Sequence, residues 1–329
     1  MLALGRLLDL TLADHEPADK VQVTVQGTRL RWWGSGVLEV RPPQGQDSGC
    51  DVLLSAGIHG HQTAPPALLD RLLRRIAHGL FIPQARLLFV LGNPEAMRRA
   101  QRHAEQDLNG LFNGRHASTS GIEALRAAEL EQHARVFFGE PGRRRAHYDL
   151  HTLARDARFM PFAVCAFTPA RAPSRQALLR MQAAGVQAVV LQDKPSFTFS
   201  AFTREHLAAE AFTLELGRDD ALDLDPMEEH LRRMIDADDA SLGAGEATVP
   251  LFRVSREIVK HSERFRLHLP PDIEHFTPVS RGTLLAEDLA NVRWVVETHG
   301  ARILFANAQV RPGARAGILV VPEAGEWLA

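Results

Sequence analysis

His59, Gln62, His151 and Glu215 are the side chains whose types and spacing admit chemistry. The first two follow a short apolar run, Val52 to Ala56, of buried-strand type. The run breaks at Gly57 and Gly60, and Thr63-Ala64-Pro65-Pro66 then opens an amphipathic helix. A strand that ends in a glycine-bracketed turn and feeds a helix is where open α/β sheets hold ligands. Here the turn presents His59, and Gln62 shares its face once a helical turn has formed. Taken alone, the stretch also fits a capped helix start carrying two exposed histidines, His59 and His61.

Later segments narrow the choice. Asp149-Leu150-His151-Thr152 falls at the end of a strand-like run, where period two points Asp149 and His151 to one face. A lone strand histidine is more often a satisfied polar residue than a ligand. An early histidine on a strand-to-helix turn and a later one at another strand end is, however, what a mononuclear zinc site with an open position requires. Thr213-Leu214-Glu215-Leu216-Gly217 puts one carboxylate into an apolar strand. Burying it is costly unless it has a partner or a task, and general base beside a metal-activated water is such a task.

The segments Ser55 to Pro65 (SAGIHGHQTAP), Leu91 to Pro94 (LGNP), Arg102 to Phe112 (RHAEQDLNGLF), Asp149 to Arg155 (DLHTLAR) and Thr213 to Gly217 (TLELG) occur in this order. Together they resemble the succinylglutamate desuccinylase and aspartoacylase family of zinc amidohydrolases, related in fold to zinc carboxypeptidases. Phe252 to His261 and Arg281 to Asp288 extend the likeness over nearly the whole chain. The resemblance is strongest to the desuccinylase branch, and implies release of succinate from N-succinylglutamate at the end of a bacterial arginine-degradation route. It implies zinc on His59, His151 and Gln62, Glu215 as the catalytic acid/base, and Asp149 as a group orienting the site from behind. Arg102 and Asn109 match positions that hold substrate carboxylates or the scissile carbonyl, and Arg204 lies near a further substrate-binding arginine. Arg suits that task because its planar fork pairs with a carboxylate through two hydrogen bonds.

Two positions depart from the family pattern. Gln62 stands where His-x-x-Glu is the rule, and Gly110 where Asp-x-Asn-Arg is. A Gln amide oxygen can bind zinc but brings no charge. His61, His103 and His116 are the alternative third ligands in the sequence. The same two departures also support a second reading, an impaired or substrate-shifted relative that acts on another N-acyl amino acid or only binds an amino acid.

These residues need elements to place them. Val21, Val23 and Val25 alternate with polar neighbours, and with Leu30 to Trp33 and Val37 to Val40 they read as an antiparallel lead-in. The apolar stripe Leu68, Leu69, Leu72, Leu73 and Ile76 marks the helix after Gln62, and Arg86 to Leu91 a second strand. Strand, helix, strand at this spacing predicts a right-handed crossover and a parallel sheet. Helices are expected over Glu95 to Arg102, Ile122 to Phe138, Arg175 to Ala184 and Pro226 to Ile235. Strands are expected over Ala146 to His151, Phe159 to Phe167 and Val186 to Leu191, with Ala211 to Leu216 as the last of the sheet. A linker near Asp236 to Ala247 is expected to lead into short β runs. The expectation is thus an α/β fold: a three-layer, zinc-carboxypeptidase-like catalytic domain over residues 1–240 with a mixed, mainly parallel sheet, then a small C-terminal β module over 241–329.

Composition sets outer bounds. The chain has 329 residues, 45% hydrophobic and 24% charged, with a formal net charge of -2, which gives no reason to expect nucleic acid or an anionic membrane as partner. The expected partner is a small N-acyl amino acid, with a homo-oligomer also compatible. Cys50 and Cys165 make no disulfide framework, and no apolar run approaches a membrane span, so a reducing, cytoplasmic setting is expected.

Overall fold

The computed structural model describes residues 3–169, 172–236, 247–289 and 292–323. Its strands are β1 (Val21–Val23), β2 (Arg29–Gly34), β3 (Val37–Arg41), β4 (Cys50–Ala56), β5 (Arg86–Leu91), β6 (Arg144–Leu153), β7 (Phe162–Cys165), β8 (Ala188–Leu191), β9 (Glu210–Arg218) and β10 (Leu251–Val259). They continue as β11 (Arg266–Leu267), β12 (Thr277–Pro278), β13 (Leu284–Asp288), β14 (Val292–Val295), β15 (Arg302–Leu304) and β16 (Arg315–Pro322). The helices are α1 (Leu7–Leu12), α2 (Ala64–Ala77), α3 (Pro94–Arg98), α4 (Ile122–Phe137), α5 (Arg175–Ala183), α6 (Phe199–His206) and α7 (Leu224–Asp236).

A mixed sheet of 13 strands runs in the order β1-β2-β3-β5-β4-β6-β9-β7-β8-β10-β16-β15-β12, beside a small antiparallel sheet β11-β13-β14. Its central run is mainly parallel: β5 pairs with β4, β4 with β6, β6 with β9, and β7 with β8 and β8 with β10. Only β7 against β9 interrupts it. Helices cover both faces. Leu68, Leu72 and Ile76 of α2, Leu178 and Met181 of α5, and Leu231 and Ile235 of α7 pack on one. Ala127, Leu130 and Ala134 of α4 and Phe199 and Phe202 of α6 pack on the other. This is the three-layer α/β arrangement.

Period two then decides which polar residues meet. Val52, Leu54, Ala146, Tyr148, Leu150, Phe212 and Leu214 all join the core under α2, α5 and α7. Their alternates Ser55, His147, Asp149, His151, Thr213 and Glu215 therefore face the α4 and α6 side. Register finishes the placement: Ser55 lies opposite Asp149, Asp149 opposite Thr213, and His151 opposite Glu215.

Some expectations need correction. The strand carrying Glu215 is not the last of the sheet but an interior one, inserted between β6 and β7. The C-terminal strands are not wholly a separate module: β10 pairs parallel with β8, and β16, β15 and β12 prolong the same ladder. The expected helix from Glu95 stops at Arg98, and Ala100 adopts φ 50, which ends it. Helix α6, not expected, begins at an N-cap where the Thr198 side chain accepts from Ala201 N. The expected linker lies almost entirely outside the described residues.

Candidate active site

The turn after β4 is locked by close packing. Gly57 has φ 68, and a Cβ at Gly60 would come within 2.2–2.4 Å of the Ala96 and Met97 backbone at α3. Only glycine lets the two segments approach so closely. Gly60 N donates to Arg102 O at 3.2 Å, tying the turn to the segment that carries Arg102, Asp107 and Asn109. Asp219 accepts from Thr63 N and Ala64 N at 3.0 Å, supplying an anion to the N-terminus of α2. It also accepts from Thr152 Oγ1 at 3.2 Å, beside His151.

These supports bring the two imidazoles together, with ring centroids 5.2 Å apart. His151 Nε2–H donates to Asp149 Oδ2 at 3.0 Å, which fixes its tautomer and leaves Nδ1 with a lone pair. His59 Nε2–H donates to Asp107 Oδ1 at 3.2 Å, and its buried Nδ1 has no partner among the described residues. Gln62 Nε2 donates to Thr152 O at 2.7 Å, which leaves its buried Oε1 without a partner. Glu215 Oε2 and Asn109 Oδ1 are likewise buried and unpaired. Orphaned buried polar atoms are rare in folded proteins, and a cluster of them marks a place for a missing ligand. His59, Gln62, Arg102, Asn109, His151 and Glu215 all line one cavity of about 340 Å³.

Protonation follows burial and charge. Burial pulls the His59 imidazole down to about 4, so it is neutral at pH 7, as a metal ligand must be. Burial also lowers His151, but the Asp149 charge and hydrogen bond outweigh it and leave a net rise. Burial pushes the Glu215 carboxyl up to about 7. Asp107 would also rise on burial, yet the His59 hydrogen bond and the Arg102 charge hold it far below the usual carboxylate range.

Behind the histidines runs a buried polar chain. Ser55 Oγ–H donates to Asp149 Oδ1 at 2.6 Å, and His147 Nε2 meets the same hydroxyl at 2.8 Å. Burial lowers His147 to about 4, so its ring is neutral. With Ser55 donating to Asp149, Nε2–H of His147 donates to Ser55 and Nδ1 is left for Thr203 Oγ1, 2.8 Å away. Sequence reasoning missed His147, though β6 alternation places it on the face of Asp149 and His151. It missed Asp107 and Asp219 too, whose partners at the turn after β4, His59 and Thr63, lie far along the chain.

Arg102 reaches the cavity mouth with its guanidinium held by Asp107 at 2.9 Å. Arg204 does not join this cavity, contrary to expectation. It is a buried residue of α6, donates to Thr168 Oγ1 at 2.9 Å, pairs with Glu210, and lines a second cavity with Cys165 and Phe167. His61 is exposed, His116 pairs with Glu131, and neither they nor His103 line the site. Among the described residues no three side chains drawn from His, Cys, Asp and Glu converge on a metal position. The donor set here is instead two imidazoles and the Gln62 amide oxygen. At Gly110 an added Cβ would meet nothing within 4 Å, so no crowding requires glycine there.

Residues 48–237 match the succinylglutamate desuccinylase/aspartoacylase catalytic domain, and residues 247–323 the AstE/AspA barrel-sandwich hybrid domain. The succinylglutamate desuccinylase of Pseudomonas putida (strain GB-1) is 58% identical over the full length of both chains. The chain belongs to the succinylglutamate desuccinylase/aspartoacylase family. Solved structures from this family agree in fold. The succinylglutamate desuccinylase of Vibrio cholerae superposes with a TM-score of 0.86 at 32% identity, covering 96% of this chain and 94% of that one. That of Chromobacterium violaceum gives 0.81 at 35% identity, covering 97% and 98%.

Proposed function

We propose that the chain is a zinc-dependent amidohydrolase that cleaves N-succinylglutamate to succinate and glutamate, closing an arginine-degrading route. The observation that carries this reading is the cluster of unpaired buried atoms, His59 Nδ1, Gln62 Oε1 and Glu215 Oε2, in a single cavity. The naming of the full-length relatives supports the substrate.

His59, His151 and Gln62 would hold the ion, which when bound polarises the amide carbonyl and lowers the pKa of water in the site. Glu215 takes the proton of the attacking water and returns it to the leaving nitrogen, a task suited to a carboxyl held at about 7. Asp149, itself braced by Ser55, keeps His151 in the ligating tautomer. Asp107 does the same for His59 and aims Arg102 across the mouth, where its fork meets substrate oxygen.

The test is metal content of the purified protein alongside hydrolysis of N-succinylglutamate, for the chain as it stands and for Gln62→Glu. Near-stoichiometric zinc and turnover in the unaltered chain are expected, with tighter zinc binding in Gln62→Glu. Zinc and turnover appearing only in Gln62→Glu would show a site disabled at one ligand. Absence of both in either form would leave the second reading, an N-acyl amino acid binding protein, for which the neutral ligand at Gln62 is the structural support.

A further inference from the structure

Part of the lining of this cavity comes from the C-terminal region. His275, Phe305, Asn307 and Arg315 line it, together with Arg155 from the loop after β6. His275 is held from several sides. Its N–H donates to Asp156 O at 3.0 Å, its carbonyl accepts from Arg158 N at 3.1 Å, and its Nδ1 accepts from Phe305 N at 2.9 Å. Phe305 adopts φ 53, a left-handed conformation unfavourable for a bulky residue, in the same bend that delivers this amide. With Nδ1 consumed as an acceptor, the neutral ring carries its proton on Nε2. That N–H has no protein acceptor among the described residues and belongs to a ring lining the cavity.

Arg155 is close enough for its charge to act on His275. Its guanidinium donates to two backbone carbonyls, Pro271 O at 3.0 Å and Ala306 O, and no carboxylate of the described residues lies within ion-pair distance. The other cavity arginines differ: Arg102 is matched by Asp107 at 2.9 Å, and Arg315 has Glu257 at 3.8 Å. Carbonyls orient a guanidinium without neutralising it. Asp272 acts on this charge only from beyond ion-pair distance, and a fixed cation with no paired carboxylate, beside a fixed N–H donor, is a receptor for an anion.

We infer that Arg155 and His275 form a carboxylate-binding subsite, so that selection for an acidic acyl amino acid is made where the loop after β6 meets the C-terminal strands. The inference rests on the hydrolase reading above and deepens it. It also accounts for the missing side chain at Gly110, since a cation is supplied from another wall. N-Succinylglutamate carries a carboxylate on its acyl end and two on its amino-acid end, and any one of them fits this receptor.

The experiment compares kcat/KM for N-succinylglutamate with analogues each lacking one carboxylate: N-propionylglutamate, N-succinyl-2-aminobutyrate and N-succinyl-4-aminobutyrate. Unaltered protein, Arg155→Gln, Arg155→Lys and His275→Gln are assayed. One analogue is expected to lose about 10- to 100-fold in the unaltered protein. Arg155→Gln should show the same loss on the full substrate and none further on that analogue, while still discriminating the other two. Arg155→Lys and His275→Gln should each show only part of that loss. A loss shared equally by all substrates, as expected if Arg155 only ties loops together, overturns the inference. If the unaltered protein cleaves nothing, the hydrolase reading falls separately. Calorimetric binding of succinate and of glutamate then decides the subsite, and equal affinities in unaltered and Arg155→Gln protein overturn it.

Discussion

Glu215 is held where its charge is penalised, and this has consequences for rate and for stability. As the proposed base it must be ionised, so kcat/KM should rise with pH through about 7, and Glu215→Gln should lower kcat by about 10²- to 10⁴-fold with KM little changed. A carboxyl whose pKa is raised on folding adds stability that is complete below its unfolded value and lost as pH rises through the folded one. In metal-free protein above pH 7, Glu215→Gln should therefore be more stable than the parent by about 1–3 kcal/mol, measured by urea unfolding. Ser55 offers a contrasting test. Ser55→Ala removes a donor from Asp149 and strands His147 Nε2, so stability should fall by about 1–3 kcal/mol and zinc affinity by about 10- to 100-fold. Unchanged affinity would show that Asp149 needs no brace.

At the scale of elements, the tight turn after β4 is the most exposed to perturbation. Gly60→Ala drives a Cβ into the Ala96 and Met97 backbone, which has no side-chain slack. It should cost about 1–3 kcal/mol in thermal unfolding and displace His59, lowering zinc affinity as well. This turn was readable in the sequence because glycines punctuate an apolar strand, and Asp149, His151 and Glu215 because alternation gives each a face. Strand order was not readable. β9 enters between β6 and β7, and nothing in a linear pattern reports a non-sequential neighbour. Helix α6 was missed because its run, Phe199 to His206, is short and is interrupted by polar Ser200 and Thr203. Arg204 was misplaced for the same reason: without the helix, its place on the buried face of α6 is invisible.

In the whole molecule the sheet is polarised along its strands. At the starting end, Arg86 grips Asp51 through two hydrogen bonds of 2.9 and 2.6 Å, both side chains buried. At the finishing end lie His59, His151 and Glu215. Arg86→Met should cost about 1–3 kcal/mol, since it removes two hydrogen bonds to the buried Asp51 and leaves Arg143 alone to hold that charge, yet leave kcat/KM of the folded fraction unchanged. A fall in kcat/KM matching the fall in stability would show that the two ends are coupled.

The ladder from β8 through β10 to β16 has a mechanical meaning as well. A lid on a flexible tether can swing shut around whatever enters. Here the strands next to His275 continue the sheet that bears the histidines through backbone hydrogen bonds, and such a seam resists rotation. The cavity therefore acts as a gauge of fixed width, and a ligand is accepted by whether it spans the gap.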